Sequence, residues 1–196
     1  TTGVGAFHMV RVLMSEKRST EATMIARRAW VNIDLAYRVE NQFRKRYSKL
    51  IRAEDHIARL DRLLWKRRIS AARRQLRRMN HDYQWLGLAR IALMRREPGV
   101  DYAVSKVPKR LIGDPGLVYE RVRWRRKNRK YDSAIELLSQ SGEPQTEAKR
   151  WWTERRILSR WLLRKGRTKE AYALASSHRQ TAGIGLAEGE WLSGWI

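Results

Sequence analysis

The stretch Arg167-Thr-Lys-Glu-Ala171 decides the fold, because the chain carries the same pattern three more times. The other copies are Arg18-Ser-Thr-Glu-Ala22, Arg68-Ile-Ser-Ala-Ala72 and Lys130-Tyr-Asp-Ser-Ala134. In each copy a basic residue ends one helix, and an alanine stands one turn into the next helix, where a small side chain lets the two helices approach closely. A longer helix with large apolar side chains precedes each copy and a shorter, alanine-rich helix follows it. The sequence therefore predicts an antiparallel helix pair that is repeated four times.

Apolar residues recur at helical spacing along almost the whole chain, so we expect an all-α protein of about a dozen helices. Asp114-Pro115, Ser70 and Asp132 are predicted to begin helices, and Gly166 to end one. The copies of the turn start 50, 62 and 37 residues apart. These spacings depart from the constant period of about 34 residues in tetratricopeptide arrays and indicate extra helices between pairs. We predict one superhelical solenoid of antiparallel helix pairs over residues 1–196, with irregular, tetratricopeptide-like stacking.

The charge balance points to an anionic partner. The chain has 43 lysine and arginine residues against 20 aspartate and glutamate residues, a formal net charge of +23. Such a field attracts nucleic acid, anionic membrane surfaces and anionic cell-wall polymers, and charge alone does not choose among them. The absence of cysteine excludes disulfides and thiolate metal sites. No apolar run approaches the ~20 residues that span a bilayer, so we predict no membrane span.

The two ends of the sequence look cut. The first residue is Thr1, and the last six residues, Trp191–Ile196, stop inside an apolar helical pattern with no capping residue. We therefore expect an internal fragment of a longer protein.

No metal site, cofactor site or catalytic constellation emerges from the sequence. The four histidines lack further ligands at metal-binding spacing, and no glycine-rich phosphate loop follows a strand. These histidines are His8, His56, His81 and His178. We predict no cofactor, no metal and no catalytic residue in this chain.

Glu97 is the one carboxylate with a tempting context. The stretch Ile91–Asp101 resembles superficially the loop around a lysozyme-type catalytic glutamate, which needs a partly apolar cleft to act as a proton donor. Pro98 follows Glu97 directly, however, and forces it out of helical geometry. We therefore expect Glu97 to lie at the solvated end of a helix.

Three clusters of basic residues are candidates for anion contact. We expect all three to lack matching acids, although a merely soluble surface usually mixes both signs. The first cluster is Arg73, Arg74, Arg77 and Arg78, spaced to share one helix face; the second is Arg121, Arg123, Arg125, Arg126 and Lys127, with Trp124 among them; the third is Arg155, Arg156, Arg160 and Arg164. We predict that the arginines of the first two clusters, together with Trp124, contact a substrate or another anion.

The nine tryptophans are interpreted mainly as core residues, because a large indole fills the volume between helices well. Trp124 and Trp152 are the best candidates for exposed rings. The predicted core tryptophans are Trp30, Trp65, Trp85, Trp151, Trp161, Trp191 and Trp195.

Several segments, in order along the chain, resemble the superhelical domain of soluble lytic murein transglycosylases of the alphaproteobacterial type. They are Ala53-Glu-Asp-His-Ile-Ala-Arg-Leu-Asp-Arg-Leu-Leu-Trp65, Pro98-Gly-Val-Asp101, Asp114-Pro-Gly-Leu-Val-Tyr-Glu-Arg-Val-Arg-Trp-Arg-Arg126, Trp151-Trp-Thr-Glu-Arg-Arg-Ile157, Glu170-Ala-Tyr172, His178 and Ala187-Glu-Gly-Glu-Trp-Leu-Ser-Gly-Trp-Ile196. The resemblance is strongest from residue 53 to residue 196. This chain is more basic than the family pattern.

The resemblance implies a periplasmic protein of peptidoglycan metabolism. Members of the family cleave glycan strands between N-acetylmuramic acid and N-acetylglucosamine and form a 1,6-anhydro product. Their catalytic glutamate lies on a separate lysozyme-like domain, which has no counterpart here, so no catalytic residue is carried over to this chain. The implied role is a scaffold that steers glycan strands and holds the missing catalytic domain.

A second function fits the composition equally directly. A basic helical-repeat module that binds nucleic acid or a ribonucleoprotein would explain the net charge of +23. Its binding would weaken steeply with added salt, because each phosphate contact releases counterions.

Overall fold

The computed structural model describes residues 2–140 and 146–196, and in these ranges the chain is helical with no strand. Twelve α-helices and two short 3₁₀-helices occur in the described residues. The α-helices are α1 (Gly3–Ser15), α2 (Ser19–Asn32), α3 (Tyr37–Tyr47), α4 (Ala53–Trp65), α5 (Ile69–Leu76), α6 (His81–Arg95), α7 (Val100–Ser105), α8 (Pro115–Lys127), α9 (Tyr131–Gln140), α10 (Ala148–Arg164), α11 (Thr168–Ser176) and α12 (Gly183–Trp195). The predicted all-α class and the predicted number of helices are confirmed.

The four repeated turns have one hydrogen-bond pattern. In each, the N–H of the basic residue donates to the carbonyl oxygen five residues earlier: Arg18 to Leu13 (2.9 Å), Arg68 to Leu63 (2.8 Å), Lys130 to Arg125 (2.9 Å) and Arg167 to Leu162 (3.0 Å). The residue before it has a positive φ, at Lys17 (60°), Arg67 (55°), Arg129 (60°) and Gly166 (72°). This is a Schellman ending, which closes one helix and reverses the chain into the next.

The alanines of the repeat pack as the sequence predicts. Each belongs to a pair of helices that pack against each other, α1 with α2, α4 with α5, α8 with α9, and α10 with α11. All four are completely buried: Ala22, Ala72, Ala134 and Ala171. The antiparallel helix-pair repeat is therefore confirmed. The extra helices predicted between pairs are α3, between the first two pairs, and α6 and α7, between the second and third.

The predicted helix starts are correct in part. Asp114 caps α8, because its Oδ1 accepts a hydrogen bond from the N–H of Leu117 at 2.8 Å. Ser70 and Asp132 are not caps, since α5 begins at Ile69 and α9 at Tyr131. The basic residue of the turn occupies the N-cap position of α5, and both polar residues lie inside the first helical turn.

The helices form two compact units. The first contains the described residues of Thr1–Ile91 and Asp101–Pro108, and the second those of Ala92–Val100 and Lys109–Ile196. The core of the first unit is an aromatic cluster in which Phe43 packs near Trp30 and Tyr47, with ring centroids 6.3 Å and 5.3 Å away. In the second unit, Trp152 packs with buried residues of α11 and α12.

Candidate functional site

The first unit contains a groove lined by arginines. It has a volume of about 570 Å³ and is bounded by the α2–α3 connection, the inner face of α4, the α4–α5 turn and the first turns of α5. Four of its lining residues are arginines, and one is an acid. The arginines are Arg59, Arg67, Arg68 and Arg74, and the acid is Asp34.

A buried carboxylate lies behind this groove and is shared by three arginines. Glu40, on α3, is 1% exposed. Its oxygens accept hydrogen bonds from Nη2 of Arg74 at 2.9 Å and Nη1 of Arg78 at 3.1 Å, and Nη2 of Arg59 lies 3.7 Å away. One buried negative charge thus faces three positive charges, of which only that of Arg59 is fully buried.

Arg59 is the most deeply buried member of this cluster, at 1% exposure. Its Nη1 donates to the carbonyl oxygen of Trp30, and its guanidinium lies 4.4 Å from the centre of the Trp30 ring. Burial lowers the pKa of Arg59 to about 10, and the carboxylate of Glu40 offsets only part of that shift. The positive charge of Arg59 is therefore only partly compensated by its surroundings.

Two nitrogen atoms of the cluster have no hydrogen-bond partner among the described residues. They are Nε of Arg59 and Nε of Arg74, and both side chains line the groove. Buried donors of this kind are uncommon, because an unmade hydrogen bond to a charged group is costly. The cluster thus has donor capacity that its single carboxylate does not use.

A second shared carboxylate lies at the rim of the groove. Asp34 accepts a hydrogen bond from Nη1 of Arg62 at 2.6 Å, and it also faces Nζ of Lys66 at 3.7 Å and Nη2 of Arg68 at 3.6 Å. Burial alone would raise the pKa of Asp34, but the hydrogen bond from Arg62 and the nearby cations hold it below its usual value. The rim, like the interior, has more cations than carboxylates.

The groove also receives the N-terminus of α5. Ile69, Ser70 and Ala71 line it, and no side chain caps the first turn of this helix. The first N–H groups of a helix carry a partial positive charge. Because these groups add to the arginine charges, this end of the groove is suited to an anion.

The first predicted cluster is divided between two environments. Arg73 and Arg77 are exposed, whereas Arg74 and Arg78 are half-buried and bind Glu40. Arg77 and Arg78 follow the end of α5 at Leu76. The expectation that no acid matches this cluster is wrong, because α3 supplies a carboxylate that is distant in sequence.

The second predicted cluster, on α8, is also matched from neighbouring helices. Nη2 of Arg126 donates to Oε1 of Glu154 at 3.0 Å, and its Nε binds the other carboxylate oxygen. Nη1 of Arg125 donates to the carbonyl oxygen of Ser133 at 2.7 Å. Arg121 and Arg123 are half-buried, and burial together with the charge of Arg125 lowers the pKa of Arg121. This cluster is partly structural and does not form one open patch.

Trp124, the aromatic residue of that cluster, is half-buried. The ammonium nitrogen of Lys130 lies 5.1 Å from the centre of its ring, within the distance of a cation–π contact. One face of Trp124 is thus in contact with a cation of the α8–α9 turn.

The third cluster, on α10, has two arginines that are buried or paired and two that are exposed. Arg155 is buried, and Nη1 of Arg156 donates to both carboxylate oxygens of Glu188 at 2.6 Å and 2.7 Å. Arg160 and Arg164 are exposed. An acid again comes from another helix, here α12.

Three expectations about tryptophans are wrong. Trp152 is 3% exposed and donates a hydrogen bond to Glu188, so it is a core residue. Trp191 and Trp195 are 59% and 64% exposed, and their rings stack on each other with centroids 6.0 Å apart. The face of α12 that packs inward carries Gly189 and Leu192, which places these two indoles on the outer side.

Glu97 lies where the sequence places it. It follows the end of α6, its side chain is about one third exposed, and its Oε1 binds Nε of Arg95 at 2.7 Å. This setting is not the apolar cleft that a proton-donating glutamate requires. Among the described residues, no group of three or more histidine or acidic side chains is arranged to hold a metal ion.

The sequence reasoning missed most of the groove. Of its four arginines only Arg74 is among the predicted contact residues. The run Lys66-Arg67-Arg68 in the repeated turn was a usable signal, since the repeat predicts that this turn projects from the end of a helix pair. Arg59 had no such signal, because it stands among the apolar residues of α4.

Comparisons with protein-family models, with curated proteins and with solved structures found no match to this chain. None of the helices in the described part of the chain is long and apolar enough to cross a bilayer.

Proposed function

We propose that this chain is a non-catalytic scaffold segment of a peptidoglycan lytic transglycosylase, which guides anionic glycan strands toward a catalytic domain outside this sequence. The proposal places the protein in the periplasm. It rests on the ordered resemblance of residues 53–196 and on the site described above.

The observation that carries the proposal is the arginine-lined groove on a helix-pair repeat. Each pair of the repeat buries its alanine and apolar residues of its helices, which supports a scaffold role. The groove supplies a local excess of positive charge over Glu40 and Asp34. A strand whose peptides carry carboxylates is attracted to such a surface.

The setting of Glu97 supports a role without catalysis in this segment. Its carboxylate pairs with Arg95 after a helix end and is about one third exposed, unlike the acid in an apolar surrounding that protonates a glycosidic oxygen. The bond-breaking chemistry of the parent family is therefore assigned to the missing domain.

Co-sedimentation with purified peptidoglycan sacculi tests the proposal. We expect the chain to pellet with sacculi at low salt and to stay in solution with cellulose, a neutral glycan. Mass spectrometry of the supernatant should detect no 1,6-anhydro sugars. Release of such sugars would show that the segment is itself catalytic, and failure to pellet would remove the glycan-guiding role.

A second candidate function is binding to nucleic acid. It is favoured by the net charge of +23 and by an aromatic and cationic cluster in the second unit. There, the rings of Tyr131 and Trp161 stack with centroids 4.8 Å apart, and the cations of Lys165 and Arg167 lie 6.0 Å and 5.9 Å from the Trp161 ring. Stacked rings beside cations are typical of surfaces that bind single strands.

Filter binding across a salt series separates the two functions. For a nucleic-acid module, the logarithm of the affinity for duplex DNA should fall with that of the salt concentration, with a slope of about −0.9 per phosphate contact. Weak, non-saturating retention of both DNA and RNA at low salt would remove this candidate.

A further inference from the structure

We infer that the groove at the start of α5 is a carboxylate-binding site, which takes the carboxylate groups on the peptides of a glycan strand. The source of the carboxylate rests on the proposed function. The site itself is argued from the charges, donors and helix end that meet in the groove.

The first argument is the surplus of positive charge around the buried carboxylate of Glu40. Glu40 accounts for one of the three positive charges of Arg59, Arg74 and Arg78. Two of these guanidinium groups, those of Arg59 and Arg74, line the groove and have an Nε without a partner. An anion in the groove would compensate a cation that is now buried at a cost.

The second argument is the uncapped start of α5. Ser70 and Ala71 lie in its first turn and line the groove, and the N-cap residue Arg68 makes no side-chain capping hydrogen bond. An anion there would meet the free N–H groups at the positive end of the helix. The surplus arginine charge and the helix end are independent features that favour the same ligand.

The third argument concerns the kind of anion. Arginines in and around the groove already hold two carboxylates of the chain itself: Arg74 binds Glu40 behind the groove, and Arg62 binds Asp34 at its rim. The planar guanidinium presents its donors in a fork that matches a carboxylate. A ligand carboxylate would repeat a geometry that this part of the chain already uses.

Two double variants test the site directly. R67Q/R68Q removes two arginines that line the groove, and R44Q/R46Q removes two exposed arginines of α3 outside it. Both variants lower the net charge by the same amount, so a difference between them reports position and not total charge.

The first probe is a short, fluorescently labelled polyglutamate peptide, followed by fluorescence anisotropy. We expect R67Q/R68Q to weaken its binding about tenfold or more, because charge-assisted hydrogen bonds are lost. R44Q/R46Q should change the affinity less than about twofold, since screened surface charges at a distance contribute little. Equal losses in the two variants would overturn the site.

A single substitution provides a second test that does not depend on removing arginines. Ser70→Asp places a carboxylate of the chain itself in the groove, and Ser70→Asn is its neutral isostere. We expect Ser70→Asp to abolish polyglutamate binding and to raise Tm by about 2 °C relative to Ser70→Asn, because an acid in the first turn is favourable. Equal binding by the two variants, or a lower Tm for Ser70→Asp, would contradict the site.

The source of the carboxylate is tested with solubilised glycan strands whose peptides are intact or chemically amidated. Amidation should abolish the groove-dependent part of the binding, that is, the part lost in R67Q/R68Q. Equal binding of amidated strands would overturn the carboxylate assignment. Short oligothymidylate that binds more tightly than polyglutamate, and loses that binding in R67Q/R68Q, would overturn it in favour of phosphate.

These results also separate the site from the proposed function. If the two double variants lose polyglutamate binding equally while the unmodified chain still pellets with sacculi, the site is wrong and the glycan-guiding function stands. If polyglutamate binds in the groove but the unmodified chain does not pellet with sacculi, the site stands and the proposed function is wrong.

Discussion

The first compact unit buries Glu40, and the second buries Glu120 and Glu154. Glu40 and Glu154 are held by arginines in different ways. In the second unit Glu154 is 1% exposed and binds a single arginine, Arg126, through both carboxylate oxygens. In the first unit Glu40 is equally buried and is shared by Arg59, Arg74 and Arg78. The charges balance around Glu154, in the second unit, and they do not balance around Glu40, in the first unit.

The pKa values of the arginines follow this difference. The hydrogen bond with Glu154 raises the pKa of Arg126 above its usual value, whereas burial lowers that of Arg59 to about 10. A balanced buried pair fixes how two helices pack. An unbalanced cluster beside a groove costs stability that the fold alone does not require, and such a cost is typical of binding sites.

Replacing Glu40 or Glu154 should have the largest effect on stability, and the loss should be greater for Glu40. Glu40→Gln leaves three arginines without a carboxylate, and we expect the free energy of unfolding to fall by about 3–5 kcal/mol. Glu154→Gln leaves Arg126, which is closer to the surface, and should cost about 1–3 kcal/mol. Urea unfolding followed by circular dichroism measures both. Equal losses would mean that the two carboxylates play the same structural part.

The repeated turn is what the two units share, so substitutions there should have similar effects in both. Ala72→Leu in the first unit and Ala171→Leu in the second force a larger side chain between packed helices, and each should cost about 1–3 kcal/mol. Ala173, on the outer side of α11, is exposed, and Ala173→Leu should change stability by less than about 0.5 kcal/mol. Thermal unfolding of the three variants makes the comparison. A loss confined to one unit would show that the repeat is not structurally equivalent.

The repeat was predictable because it is local. The signal is a basic residue with an alanine four positions later, flanked on both sides by helical periodicity. These neighbouring residues determine a Schellman ending and a close contact between the two helices. Gly166 could be assigned as a helix end for the same reason. In the other three turns a basic residue takes the positive φ, which the sequence alone did not indicate.

The ion pairs were not predictable because they join distant residues. Arg74 and Glu40 are 34 positions apart, and Arg126 and Glu154 are 28 positions apart. Each arginine cluster, taken alone in the sequence, has an excess of positive charge, because the compensating acids lie on other helices. Only the structure shows that Arg74 both binds Glu40 and lines the groove.

His56 gives the smallest expected effect and tests whether the surplus charge of the first unit extends into its core. Its Nδ1 accepts a hydrogen bond from Nε1 of Trp30 at 3.2 Å. Burial, and next the charge of Arg78, lower the pKa of His56 from the usual value of 6.5. Below about pH 6.5 the unfolded chain therefore takes up a proton before the folded chain does, and stability falls as the pH decreases.

We expect this fall to be less than about 1 kcal/mol between pH 7 and pH 5 for a half-buried histidine. His56→Asn retains an acceptor near the position of Nδ1 but does not titrate, so its stability should depend less on pH over this range. His81 is exposed, and His81→Asn should leave the pH dependence as it is. If both variants keep the slope of the unmodified chain, the slope comes from carboxylates, and the arginines around Glu40 act on the groove without reaching the core histidine.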